Sequence, residues 1–167
     1  MSEDVVVIDD AARFRQILGS FPTGVTVVTT LQDDRPVGLA AGSFFSVSLD
    51  PPLVGFCVTT TSNTWPAIER SGSFGVSILA DDQTDICRRL AGKGADKFDA
   101  VPWSPAPVTG SPLLDGAVAH LDCELEQQHL AGDHWIVVGR VRALDLHRGE
   151  ADPLVFCRGA FGRHQSF

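Results

Sequence analysis

The side chains in this 167-residue sequence best suited to acid–base, nucleophilic or metal chemistry are five histidines and four cysteines. Their spacing supports none of these. His120, His129, His134, His147 and His164 form no H-x-x-x-H pair, and Cys57, Cys87, Cys123 and Cys157 form no C-x-x-C pair. Metal sites need ligands clustered at short spacings, and a hydrolase nucleophile needs a tight elbow such as G-x-S-x-G, which is absent. G-x-G-x-x-G, the phosphate turn of a Rossmann unit, is missing too.

What remains is a set of small, hydroxyl-rich segments that expose backbone. In "GLAAGSFFSVSLDPP" (38–52), after Leu39, the small side chains of Ala40, Ala41 and Gly42 leave room for a flat ring to approach the main chain, whose N–H and C=O groups could meet polar ring edges. Ser43, Phe44, Ser46 and Ser48 continue the stretch. Its plainer reading is a glycine-bearing strand with a bulge. "TTTSNT" brings Thr59, Thr60, Thr61, Ser62, Asn63 and Thr64 to the start of a predicted helix, where unpaired amides and the helix dipole favour phosphate. An ordinary N-cap explains the same residues. Together, a ring-sized patch and a phosphate cradle one strand apart suit a nucleotide-like ligand. "AGDH" (131–134) places His134 at a hairpin tip, and Phe161 with Arg163 combines an aromatic plane with a fixed cation. Each has a bland counterpart: a surface histidine, and a surface or dimer contact.

These segments need elements to hold them. Phe14, Ile17, Leu18 and Phe21 form one apolar stripe of a helix over 9–21, with Asp9 or Asp10 as N-cap. Strands are expected over 24–31 and 36–43, joined by a turn at "QDDRP", and again at "LVGFCVTT" and 73–80. A helix follows Pro66 and stops at Gly72, and "DDQTDICRRLAG" reads as a second short helix. The proline-rich span 93–112 reads as a structured excursion or mobile flap. In "AVAHLDCELEQ" the alternation sends Ala117, Ala119, Leu121, Cys123 and Leu125 to one face and His120, Asp122, Glu124 and Glu126 to the other. Two more strands, "WIVVGRVRALDLH" and "PLVFCRG", precede a polar tail. About seven strands and a few short helices predict a mainly β fold, a β-barrel with helical decoration, in one domain over 1–167 with a flexible start at 1–8.

Composition narrows the function. A net charge of −8 opposes a nucleic-acid partner, because affinity for phosphate backbone rests on Lys and Arg. No apolar run approaches the ~20 residues of a membrane span, and no signal peptide is visible, so the sequence predicts a cytoplasmic protein.

Ordered blocks then become recognisable: "FPTGVTVVTT", "SFFSVSLDPPLVGFCV", "SNTWPAI", "SGSFGVSILADDQ", "KF", "PLLDGAVAHLDCEL", "AGDHWIVVGRV" and "PLVFCRGAFGR". From about residue 12 to residue 163 the chain resembles the flavin reductase components of two-component flavin-dependent monooxygenases, which adopt a split β-barrel. The resemblance implies a homodimer that uses NADH to reduce FAD or FMN and passes the reduced flavin to a separate monooxygenase. It implies that "GLAAGSFFSVS" holds the isoalloxazine and "TTTSNT" the ribityl and phosphate. Ala80, Asp81 and Gln83, with Lys97 and Phe98, would flank the flavin tail. His134, Phe161 and Arg163 would lie where nicotinamide enters. FAD is favoured because "LAAG" leaves room, and NADH because no Arg cluster awaits a 2′-phosphate. Two departures stand out: 38–43 reads G-L-A-A-G-S where the family commonly carries G-M-T-x-S-S, and Ser77 replaces a frequent Asn. The rival readings are a non-catalytic flavin-binding barrel and an FMN oxidase acting on a pyridoxamine-type phosphate.

Overall fold

A computed structural model of the chain describes residues 11–92, 94 and 96–166. The expected flexible start (1–8) and the N-cap candidates Asp9 and Asp10 lie outside these residues.

In chain order the elements are α1 (Ala11–Leu18), β1 (Thr23–Gly24), β2 (Thr26–Gln32), β3 (Arg35–Ala41), β4 (Phe45–Leu49), β5 (Pro52–Thr59), α2 (Trp65–Ser71) and β6 (Ser73–Ile78). A 3-10 turn at Asp81–Gln83 leads into α3 (Thr84–Ala91). Then come β7 (Trp103–Pro105), β8 (Pro112–Leu114), β9 (Ala119–Ala131), β10 (His134–Leu146), β11 (Leu154–Cys157) and β12 (Ala160–Arg163).

Seven strands form one antiparallel sheet in the order β3-β2-β6-β9-β10-β5-β4. β3 and β4 are its edges, so the sheet stays open. It comes near to closing at Ser43, just past β3, whose hydroxyl accepts from Cys57 N (2.9 Å) in β5 and donates to Cys57 O (3.2 Å).

The β-branched run of β2 explains why this sheet has two cores. Thr26 through Thr30 are all buried, which a strand covered on both faces requires. Val28 joins Phe56, Trp65, Ile68, Phe74 and Val137 on one side. Val27 joins Leu79, Leu90, Phe98, Leu114 and Leu154 on the other. Burying Phe56 and Phe74, which meet edge-to-face at 5.4 Å, contributes about 1.5–3 kcal/mol each. The β2–β3 hairpin turns on Asp33 and Asp34, both at positive φ, a conformation aspartate tolerates better than most residues.

Several expectations need correction. The 93–112 span contains an element after all: β7 pairs with β8, and Asp122 clamps the connection between them. The Asp122 carboxylate accepts from Val108 N (2.8 Å), Thr109 N (3.1 Å) and the Thr109 hydroxyl (2.6 Å). Asp122 is therefore buried, although alternation assigned it to the solvent face with His120 and Glu124. A covering loop is invisible to strand periodicity. The polar tail carries β12, which pairs with β11. α1 ends at Leu18, before Phe21, and none of its residues is buried: the apolar stripe faces outward. The four cysteines are free thiols. Among the described residues no helix is long and apolar enough to cross a membrane.

Candidate functional site

A groove of about 800 Å³ runs between β3, the start of α2 and the end of α3, within the size range of small-molecule sites. Small and apolar groups, Leu39, Ala40 and Phe98, form one wall. Thr59, Thr61, Ser62, Asn63 and Thr64 also line it, and Lys97 supplies an ammonium.

Local sequence explains each wall. β3 is an edge strand, so its outer backbone groups lack ladder partners. Gly38 lets the Phe98 ring lie directly on the strand. The α2 helix begins as expected, with Pro66 in its first turn and Gly72 closing it at φ 68°.

The amides of Thr64, Trp65 and Ala67 at its start already have partners. The Ser62 hydroxyl accepts from Thr64 N and Trp65 N, both at 3.2 Å, Pro66 has no N–H, and Ala67 N donates to Thr64 O. Thr64 caps nothing with its own side chain; its hydroxyl donates to Gly38 O (3.1 Å) and ties α2 to β3. This end presents side-chain donors, the linked hydroxyls of Thr59 and Thr61 (3.1 Å apart) and the exposed amide of Asn63. Lys97 Nζ donates to Leu90 O (3.2 Å), and burial lowers the pKa of its ammonium.

Other residues singled out from the sequence stand apart from this groove. Ala41 is buried in the first core. Gly42 lies against Thr23, while Ser43 is held by Cys57. Phe44 packs on the first core, and Ser46 and Ser48 sit on edge strand β4. The Thr60 hydroxyl donates to Asp133 O (3.2 Å). Ala80 and Gln83, expected beside the flavin tail, are both buried. The Gln83 amide accepts from Ala80 N (3.1 Å) and donates to Asp115 O (2.9 Å), so its polar atoms serve the fold. Asp81 faces Arg163 at 3.8 Å. Ser77, the departure noted above, accepts from Leu114 N (2.9 Å).

Nor do His134, Phe161 and Arg163 line the groove. His134 pairs across the β5–β10 ladder with Thr59, which brings it beside the threonine end. Its Nδ1 lies 2.7 Å from Asp133 Oδ1, a bond that holds the Asp133 carboxyl below the ordinary carboxylate pKa. Phe161 lies beneath Arg88, 5.5 Å from guanidinium carbon to ring centre, and tilts against Phe156. Sequence reading missed the lining residues Pro36, Val37, Leu90, Ala91, Gly92 and Gly94. Nothing local marks them, because α3 meets β3 only in the folded chain.

The donor set tests what such a groove could hold. An apolar wall for a ring, hydroxyls and an amide for a polyol, and one ammonium for a phosphate fit a flavin nucleotide. No group of three or more His, Cys, Asp or Glu side chains could hold a metal ion among the described residues.

An open antiparallel sheet whose edge strand borders a groove of this chemistry defines a flavin-handling class of β protein. Residues 18–165 match the family described as flavin reductase like domain, and the chain belongs to that family. It is 51% identical over 152 residues to "Flavin-dependent monooxygenase, reductase subunit HsaB" of Rhodococcus jostii, an alignment covering 91% of this chain and 77% of that one. The structure of nitrilotriacetate monooxygenase component B from Mycobacterium thermoresistibile superposes with a TM-score of 0.89 at 43% identity, covering 92% and 86% of the two chains. A Streptomyces globisporus NADH:FAD oxidoreductase, SgcE6, described in complex with NAD and FAD fragments, superposes at 0.90 with 37% identity over 98% of each chain.

Proposed function

We propose that this chain is an NADH-dependent flavin reductase that takes FAD, or FMN, into the groove and supplies reduced flavin to a separate monooxygenase. The observation that carries the reading is the convergence in one groove of the small-residue edge of β3, the 59–64 hydroxyl cluster and Lys97. Relatives named as reductase subunits of flavin-dependent monooxygenases support the activity and the partner.

A flavin held here would supply the hydride-accepting chemistry, with a reduced nicotinamide as donor, so the cofactors would carry the bond changes. The protein binds and orients. Leu39, Ala40 and Phe98 offer an apolar face that excludes water. Thr59, Thr61 and Asn63 offer hydrogen bonds along a polyol, and Lys97 balances phosphate charge. No acid–base residue is required, in keeping with the missing constellation of nucleophile, base and metal ligand. His134, beside Thr59 with its Nδ1 engaged by Asp133, leaves Nε2 for the nicotinamide nucleotide.

The working form is a homodimer. Phe45, Val47 and Leu49 are exposed along edge strand β4, Leu49 to 91%, and α1 presents Phe14, Ile17 and Leu18 outward. Exposed apolar patches at a strand edge call for a partner surface. Sedimentation of the purified chain should give twice the monomer mass.

Anaerobic mixing with FAD and FMN, each with NADH and NADPH, tests the activity. Loss of flavin colour with NADH is expected. Unchanged colour in all four mixtures overturns the proposal.

A further inference from the structure

Arg89, in the last turn of α3, does not line the groove, yet it holds one of its walls. Its Nε donates to Lys97 O (3.0 Å) and its Nη2 to Asp96 O (3.2 Å). Lys97 answers with its own bond to Leu90 O at the helix end. Phe98, the next residue, is only 8% exposed and presses its ring onto Gly38, whose carbonyl accepts the Thr64 hydroxyl. The end of α3, the loop at 96–98, β3 and the start of α2 are thereby joined in series around the groove.

The two arginines of this turn divide the work. Arg88 is occupied by Asp85 (3.6 Å) and by the Phe161 ring. Arg89 has no carboxylate partner among the described residues; both of its bonds go to consecutive main-chain carbonyls. A planar guanidinium with donors in a fixed fork can hold two such carbonyls at set positions, and the hold does not depend on the loop's side chains. Without it, the loop is kept in place by the Lys97–Leu90 bond and by the packing of Phe98.

We propose that Arg89 is a positioning residue for flavin binding, setting the spacing between the 96–98 wall and β3. The inference rests on the flavin reductase reading above. Because Arg89 acts through the loop, its loss changes how well a flavin is gripped and leaves nicotinamide binding and hydride transfer alone.

The test uses Arg89→Gln and Arg89→Lys in the full chain. FAD and FMN are titrated by fluorescence, NADH kinetics are measured at saturating flavin, and thermal melting is followed. Arg89→Gln should raise Kd and KM for the tighter-binding flavin about 5–10-fold, with kcat and the KM for NADH within about 2-fold of wild type. Arg89→Lys, able to restore one bond, should fall between. A folded Arg89→Gln protein that binds flavin like wild type, whatever its melting temperature, overturns the inference alone, as does a fall in kcat with unchanged flavin affinity. Wild-type protein that binds neither flavin removes the underlying reading instead.

Discussion

The ring of Phe98 fills the space that a side chain at Gly38 would occupy. A Cβ built on Gly38 would stand 2.9 Å from Phe98 Cζ and 2.8 Å from the Val28 carbonyl oxygen. The ring has some freedom to move, but the carbonyl belongs to the β2 ladder and has little. Gly38→Ala should therefore destabilise the protein by about 1–3 kcal/mol, the usual cost of overpacking. Urea unfolding would show this as a lower midpoint with the slope unchanged. A midpoint equal to wild type would mean the groove wall is softer than this packing implies.

His134 pairs with Thr59 in the ladder and bonds Asp133 through Nδ1. His134→Ala should raise the KM for NADH about five-fold, the worth of roughly one hydrogen bond, with a smaller change in flavin affinity. Steady-state kinetics in NADH alongside a flavin titration separate the two. Equal losses would make the histidine a structural support of the hairpin.

Asp122 accepts three hydrogen bonds from Val108 and Thr109 while 1% exposed. Asp122→Ala orphans those donors and should cost about 3 kcal/mol. It should also free the β7–β8 connection. Limited proteolysis would then cut near Thr109 in the variant and spare the wild type. A resistant variant would show that Thr29, whose hydroxyl donates to Pro112 O, and Ser77, which accepts from Leu114 N, hold the hairpin unaided.

Burial, with the Asp122 charge adding to it, pushes the Cys123 thiol up to about 12 from an ordinary 9.0. Burial raises Cys87 as well. The unfolded thiol loses its proton at a lower pH than the folded one. Stability is thus fully present below pH 9, and this contribution is lost as pH rises from about 9 towards 12. Denaturation midpoints should fall across that window, less steeply in Cys123→Ala. A disulfide reagent at neutral pH should modify the partly exposed Cys57 and Cys157 well before Cys87 and Cys123. Simultaneous reaction of all four would contradict the burial.

Much of this architecture was legible from local pattern. β2, β5, β6, β9 and β10 follow β-branched or alternating runs, because a strand's burial repeats every two residues and the signal lies within a few positions. Pro66 and Gly72 bracket α2 for reasons confined to its own turns. The matched blocks carried the family as well. What local pattern did not show are the partners that folding supplies. The Thr64 hydroxyl turns to Gly38 O on β3, and the Gln83 side chain donates to Asp115 O, each joining residues far apart in the sequence.

The amino-acid sequence by itself determined the mainly β character, the family and the two stretches that border the groove. Each follows from side-chain type at short spacing. Only the tertiary structure decided that Phe98 closes onto Gly38, that Leu90 and Lys97 complete the lining, and that Asp122 faces protein and not water. Those outcomes depend on which surfaces meet when the chain packs, and separation along the sequence holds no record of that.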